Sequence, residues 1–207
     1  MSENIKENVV SEPAGEYGIE YGIEYTYADY MKFEFEEMVE LIRGKIFRMS
    51  PAPRSSHQIA AGNLHGPMWQ LLRKSTCRAF IAPFDVILPI ANKKRDKATT
   101  VVQPDICVIC NPEIVEDAGC FGVPDWIIEI LSPHTSKKDL QLKYDVYEEA
   151  GVKEYWIVMP QEKLIEVFIL ENNKYRRIKT YAQDDEVTSY TLPDLTYKLE
   201  EIFTDIK

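Results

Sequence analysis

Apolar residues in this chain gather into short runs, and two runs near its middle each enclose a single acid. Val101-Val102-Gln103-Pro104-Asp105-Ile106-Cys107-Val108-Ile109 is the first, Trp126-Ile127-Ile128-Glu129-Ile130-Leu131 the second, and Tyr155-Trp156-Ile157-Val158 follows as a third. Runs this short, rich in β-branched and aromatic residues, read as buried strands. Between the second and third, Ser136 fits a helix N-cap with Asp139 at N3, and Gly151 fits the C′ position that ends the helix. Upstream, Thr26 and Asp29 have the spacing of a capping box, predicting a short helix to about Glu37. Val39–Ile42, Arg43-Gly44 and Lys45–Met49 read as strand, tight turn and strand. Ser50–Pro53 is a loop.

From Ser55 to about Lys74 the pattern is helical, with Ile59, Leu64, Met68, Leu71 and Leu72 on a broad apolar face. Ala79–Ala82 and Asp85–Leu88 add strands, followed by a charged loop from Asn92 to Lys97. Leu164–Leu170 and Tyr175–Tyr181 form a meander turning near Asn172-Asn173, and Pro193–Phe203 ends in a helical turn. The sum is an α/β (α+β) fold, a mixed sheet flanked by two main helices.

A chain of 207 residues, 45% hydrophobic with mean hydropathy −0.29, suits one globular domain over residues 25–207. Residues 1–24 read as a disordered acidic tail. The tandem Tyr17–Glu20 and Tyr21–Glu24 repeat is too short for a solenoid. No apolar run approaches the roughly 20 residues that cross a bilayer. No signal core opens the chain, so a cytoplasmic protein with no membrane partner is expected. The cysteines (Cys77, Cys107, Cys110, Cys120) follow no disulfide framework and are expected to stay reduced. Cys107 and Cys110 would point to opposite faces of a strand, which suits core packing better than zinc.

The net charge of −10 argues against a nucleic-acid partner, because phosphate attraction comes from Lys and Arg. Six Glu (3, 7, 12, 16, 20, 24) against Lys6 put half of that excess in the tail. Basic residues cluster at Lys93-Lys94-Arg95 with Lys97, at Lys137-Lys138, and at Arg176-Arg177 with Lys179. They read as solvated loops or as phosphate contacts, and charge alone leaves both open.

The chemistry starts from the two enclosed acids. A lone buried carboxylate is costly unless it is paired, hydrogen-bonded or bound to a cation. Asp105 and Glu129 on neighbouring strands would repel each other without one. Mg²⁺ is satisfied by one or two carboxylates plus water and substrate oxygens, and Mn²⁺ can substitute. Such an ion neutralises a phosphodiester and makes water nucleophilic. The alternative is that one acid is a strand-end partner in an ordinary ion pair.

Lys143, four residues after Asp139, is either an i,i+4 partner of that capping acid or a cation directed at the buried acids. Glu40 is a further metal ligand or an edge-strand surface acid. His57 is a phosphate contact, a proton carrier, or a surface residue at a helix start. His65 and His134 have weaker claims. Walker, GxGxxG, GxSxG and HExxH patterns are absent from the sequence.

Several segments recur together in one known family. They are Val39-Glu-Leu-Ile-Arg-Gly44, the loop leading to His57, Ala82-Pro-Phe-Asp-Val86, Val102-Gln-Pro-Asp105, Pro124-Asp-Trp-Ile-Ile-Glu-Ile-Leu-Ser-Pro133, Asp139-Leu-Gln-Leu-Lys143 and Gly151-Val-Lys-Glu-Tyr-Trp156. Over about residues 25–203 the chain resembles the Uma-two family of restriction-endonuclease-like proteins, a branch of the PD-(D/E)XK nuclease superfamily. The resemblance implies a restriction-endonuclease-like core and a Mg²⁺ site built from Asp105, Glu129 and the backbone carbonyl of Ile130. Glu40 matches an acid that the superfamily often adds. The superfamily's Glu-x-Lys would place lysine at 131, where this chain has Leu131, and Lys143 is the implied replacement.

The expected activity is a Mg²⁺-dependent DNA endonuclease using Asp105, Glu129, Lys143, Glu40 and His57. The second expectation is an inactive nuclease-fold scaffold that binds a protein or DNA partner. A glycosidase using the paired acids ranks last, for want of an aromatic platform around them. Double-strand cutting by a one-site fold favours a symmetric homodimer.

Overall fold

The computed structural model describes residues 24–34, 37–49, 54–133 and 137–206, without the side chain of Lys138. Nearly all of the expected acidic tail, the Ser50–Pro53 loop, His134 and the Ser136 cap lie outside these residues. In chain order the elements are α1 (Tyr27–Tyr30), β1 (Val39–Ile42), β2 (Lys45–Arg48), α2 (Ser55–Leu72), β3 (Arg78–Ile81), β4 (Val86–Ile87) and β5 (Val101–Val102). There follow β6 (Ile106–Ile109), β7 (Val115–Glu116), β8 (Gly119–Phe121), β9 (Trp126–Ile130), α3 (Lys137–Ala150) and β10 (Glu154–Met159). The chain ends in β11 (Leu164–Glu171), β12 (Lys174–Ala182), β13 (Glu186–Thr188), β14 (Thr196–Lys198) and α4 (Leu199–Ile202).

The central sheet has the order β12-β11-β10-β9-β6-β3, and a second sheet runs β2-β1-β5-β4-β8-β7. Strands β9 and β10 are parallel, with Glu129 opposite Ile157, and α3 makes the crossover that parallel neighbours need. Two-residue periodicity then sorts the central strands. Ile106 and Val108 of β6, and Trp126, Ile128 and Ile130 of β9, join Ala60, Leu64, Met68 and Leu72 of α2 in one core. Cys107, Ile109 and Ile127 face the other way, toward Val146 and Tyr147 of α3 and Ile42, Val86 and Val102 of the second sheet. Glu129 shares the face of Ile127, so it is turned toward α3.

The hairpin at Asn172-Asn173 has positive φ at both residues (51° and 60°), the twist a two-residue turn requires. The helix begun by Thr26 has both reciprocal bonds of the capping box but lasts one turn instead of reaching Glu37. Only Tyr27 is buried in it, and Met31, one turn on, is 58% exposed. Short helices depend on an apolar stripe packed against something, and here Met31, Lys32 and Glu34 are exposed with only Phe33 partly buried among them. In α2 the buried stripe follows i+4 spacing from Ala60 to Leu72, which leaves Leu71 exposed instead of on the expected face.

The cysteine expectation needs correction. Cys77 and Cys110 are joined by a disulfide, because the β3–β6 register, Arg78 opposite Ile109, sets residues 77 and 110 across from each other. Cys107 and Cys120 are free and buried. Sequence spacing could not reveal a pairing created by strand register. Among the described residues, no helix is long and apolar enough to cross a membrane.

A buried acid pins the C-terminal segment to the central sheet. Glu154 is 0% exposed and accepts bonds from Trp156 Nε1 (2.8 Å), Ser189 Oγ (2.9 Å), Tyr190 N (3.0 Å) and Thr191 N (2.6 Å). Truncation would strand all of these donors. Glu154→Ala should therefore cost about 3 kcal/mol or more in urea unfolding, and a loss below about 1 kcal/mol would show that the pin contributes little. The cystine, whose halves are 33 positions apart in sequence, should add roughly 3–4 kcal/mol over the reduced protein. Non-reducing peptide mapping should recover the 77–110 pair, with 107 and 120 free.

Candidate functional site

Three acids and one lysine meet where the two sheets face α3. Glu129, near the C-terminal end of β9, is 7% exposed. Lys143 on α3 reaches it with Nζ 3.1 Å from Oε1 and 3.3 Å from Oε2. The same ammonium lies 3.0 Å from Oε1 of Glu40. Glu40 comes from β1, which lies between β2 and β5, so it is a buried interior acid (6% exposed) and not an edge-strand surface residue. Gln103 N donates to the same Glu40 oxygen at 2.8 Å. Tyr147, one turn after Lys143, donates its hydroxyl to Glu129 Oε1 at 2.6 Å.

Asp105 stands one residue before β6, opposite Glu129 by extension of the ladder that pairs Ile106 with Ile128. Its Oδ2 accepts from Ile130 N at 2.7 Å, and its Oδ1 lies 3.0 Å from His57 Nε2. The Ile130 carbonyl also acts on the His57 ring. The third residue of α2 thus reaches round the strand ends and rests on two groups that the family resemblance assigns to a cation. His57 Nδ1 is buried without a partner among the described residues.

The electrostatics follow from crowding. Burial pushes the Glu129 carboxyl up to about 7; Lys143 and the Tyr147 hydroxyl oppose the shift, while Asp105 and Glu40 reinforce it. Burial works against the charge of Lys143, but Glu129, Glu40 and Asp105 more than offset it and hold its pKa above the usual lysine range. Without a metal it is thus held as an ammonium, a form that can orient a water or steady negative charge. Burial also opposes protonation of His57, and the hydrogen bond and charge of Asp105 outweigh it, raising its pKa. Tyr147, raised well above 10 by burial and by Glu129, stays a phenol and a donor.

The donor set fits a hard divalent cation. With all three acids ionised and His57 neutral, Asp105, Glu129 and Glu40 would set three negative charges against the one positive charge of Lys143, and without a cation Glu129 instead tends to hold its proton. The donors are oxygens, as Mg²⁺ prefers. Among the described residues no group of three or more His, Cys, Asp or Glu is arranged to hold a metal. A cavity of about 420 Å³ lies at the other end of β9 and β10, lined by residues including Asp125, Lys153 and Glu154, and it contains none of these groups.

Lys143 does not spend itself on Asp139, since its contacts are Glu40 and Glu129. Three further residues join the network without having been singled out. Besides Tyr147, Gln103 Nε2 donates to Asp85 Oδ1 at 2.7 Å, and Burial, ahead of Glu40's charge, raises the pKa of Asp85. Gln103 and Asp85 sit inside the quoted Gln-Pro-Asp and Pro-Phe-Asp segments, but nothing in their spacing names a partner. Part of the basic clusters is paired with acids: Arg95 with Glu116, Arg176 with Glu171, Arg177 with Glu166 and Lys179 with Asp185.

The sequence model of the Uma2 family, described as "Putative restriction endonuclease", matches residues 26–200, and the chain belongs to this family. Among solved structures it resembles "a putative nuclease belonging to DUF820" from Anabaena variabilis, with a TM-score of 0.70 and 22% identity. The alignment covers 87% of this chain and 98% of that one, a likeness of fold. The restriction-endonuclease-like, mixed α/β architecture expected from the sequence is thus present. No curated protein matches the chain.

The raised groups fix a pH dependence. Glu129 and His57 both titrate higher in the folded protein than in the unfolded chain. Each contributes stability that is complete below its unfolded pKa, near 4.3 and 6.5 respectively, and lost as pH rises through the folded one. For metal-free protein the urea midpoint should fall from pH 5 to pH 8, and Glu129→Gln should flatten much of that fall. An undiminished slope in the variant would place the titration elsewhere.

Proposed function

We propose that this member of the Uma2 family is a Mg²⁺-dependent endonuclease that hydrolyses phosphodiester bonds in DNA, with Mn²⁺ able to substitute. One observation carries the reading: Asp105, Glu129 and the Ile130 backbone come together at the strand ends beside the Lys143 ammonium, in a cluster with more carboxylates than cations. Asp105, Glu129 and the Ile130 carbonyl would hold the ion. When bound, it supplies phosphate neutralisation and an activated water.

The chain's own groups then have distinct tasks. Lys143 replaces the strand-borne lysine absent at Leu131, presenting a fixed positive charge to the attacking water or to the developing negative charge. Glu40 anchors Lys143 from the second sheet. His57, on Asp105 Oδ1, is placed to contact the phosphate or carry a proton. Two copies related by a two-fold axis would bring one site to each DNA strand.

Leu131 favours a second reading, a nuclease-fold scaffold that binds DNA or protein without cutting. Plasmid nicking by the purified chain with Mg²⁺ or Mn²⁺ separates the two. Losing several kcal/mol of metal-borne stabilisation at 1.36 kcal/mol per decade should make Asp105→Ala and Glu129→Ala at least ~100-fold slower. Metal-dependent thermal stabilisation that disappears in Asp105→Ala would support the metal site even without nicking, whereas the scaffold predicts neither nicking nor metal-dependent stabilisation.

A further inference from the structure

Two donors on one face of α3 grip Glu129, and they do different things. Lys143 is nearly symmetric between the carboxylate oxygens, 3.1 Å from Oε1 and 3.3 Å from Oε2, so it does not choose between them. It is also shared with Glu40 at 3.0 Å. Tyr147 breaks the symmetry with a 2.6 Å bond to Oε1. Its ring is 0% exposed and packs edge-on to Tyr155, centroids 5.2 Å apart, so the hydroxyl has little freedom to follow a carboxylate that turns.

We propose that Tyr147 is a positioning residue that ties Glu129 down through Oε1 and so offers Oε2 to the cation. The inference rests on the metal reading above. It accounts for how a lysine moved from strand to helix still leaves the carboxylate ordered. A lysine at 131 would sit two residues along the same strand. A helix-borne ammonium divided between two acids fixes its partner less well, and Tyr147, at i+4 on the same helix face, supplies the undivided bond. Groups that hydrogen-bond a ligand's far atom orient it toward the metal, and losing them typically weakens binding 10–100-fold.

The test is Mn²⁺ binding to the full chain, followed by the electron paramagnetic resonance of free Mn²⁺, in unsubstituted protein, Tyr147→Phe and Glu129→Ala. Circular dichroism melting reports the fold of each. Tyr147→Phe should stay folded and bind Mn²⁺ about 10-fold more weakly, with nicking recovering toward the unsubstituted rate at saturating Mn²⁺. Unchanged Mn²⁺ affinity in Tyr147→Phe, while Glu129→Ala abolishes binding, overturns the role of Tyr147 and leaves the metal site standing. Undiminished binding in Glu129→Ala removes the metal reading and this inference together. If Tyr147→Phe does not fold, fluorotyrosine at 147 keeps the ring and hydroxyl while altering its donor strength. A shift in Mn²⁺ affinity then supports the role, and none overturns it.

Discussion

One ammonium group, Lys143, stands between carboxylates delivered by two different sheets, and much of the architecture serves to put it there. Glu129 comes from β9 of the central sheet and Glu40 from β1 of the other. Neither acid is tolerable alone at such burial, because an uncompensated charge in an apolar setting costs several kcal/mol. The lysine joins the two layers and makes their packing conditional on its own charge. Even so, the cluster remains over-supplied with negative charge, since Asp105 adds a third carboxylate beside Glu129. His57 meets part of that excess without a metal, and a divalent ion would meet all of it.

The βαβ connection supplies the geometry. Parallel β9 and β10 require a crossover, and α3 provides it while lying over the face onto which Glu129 points. Residues 143 and 147, one turn apart, then face the carboxylate together. Had Glu129 fallen one residue earlier or later in its strand, two-residue alternation would have buried it against Leu64 and Met68 of α2, where no such donors stand. The site is therefore a consequence of register as much as of composition.

That distinction explains what the sequence made legible. Asp105 and Glu129 were conspicuous because each interrupts a β-rich apolar run, and Lys143 because a helix pattern set it one loop away. Family resemblance tied these residues together, and the architecture matches it. Tyr147 was invisible for the opposite reason: a tyrosine among apolar helix positions is ordinary core. Glu40 was ambiguous until β1 proved to be an interior strand. The disulfide was misjudged because opposing cysteines in a ladder are fixed by the β3–β6 register, 33 residues apart, and not by any spacing pattern. Of the basic clusters that invite a phosphate reading, Arg176, Arg177 and Lys179 are paired with acids on neighbouring strands and loops.

The central claim is that Asp105 and Glu129 share a divalent ion at the strand ends. Crystals of the unsubstituted chain soaked in Mn²⁺, with anomalous scattering recorded at the manganese edge, test it directly. The account requires an anomalous peak about 2.1–2.3 Å from a carboxylate oxygen of each acid and close to the Ile130 carbonyl, at the octahedral distances such ions adopt, with His57 moved off Asp105 Oδ1. Crystals saturated with Mn²⁺ that show no peak there, and His57 still resting on Asp105, would contradict it.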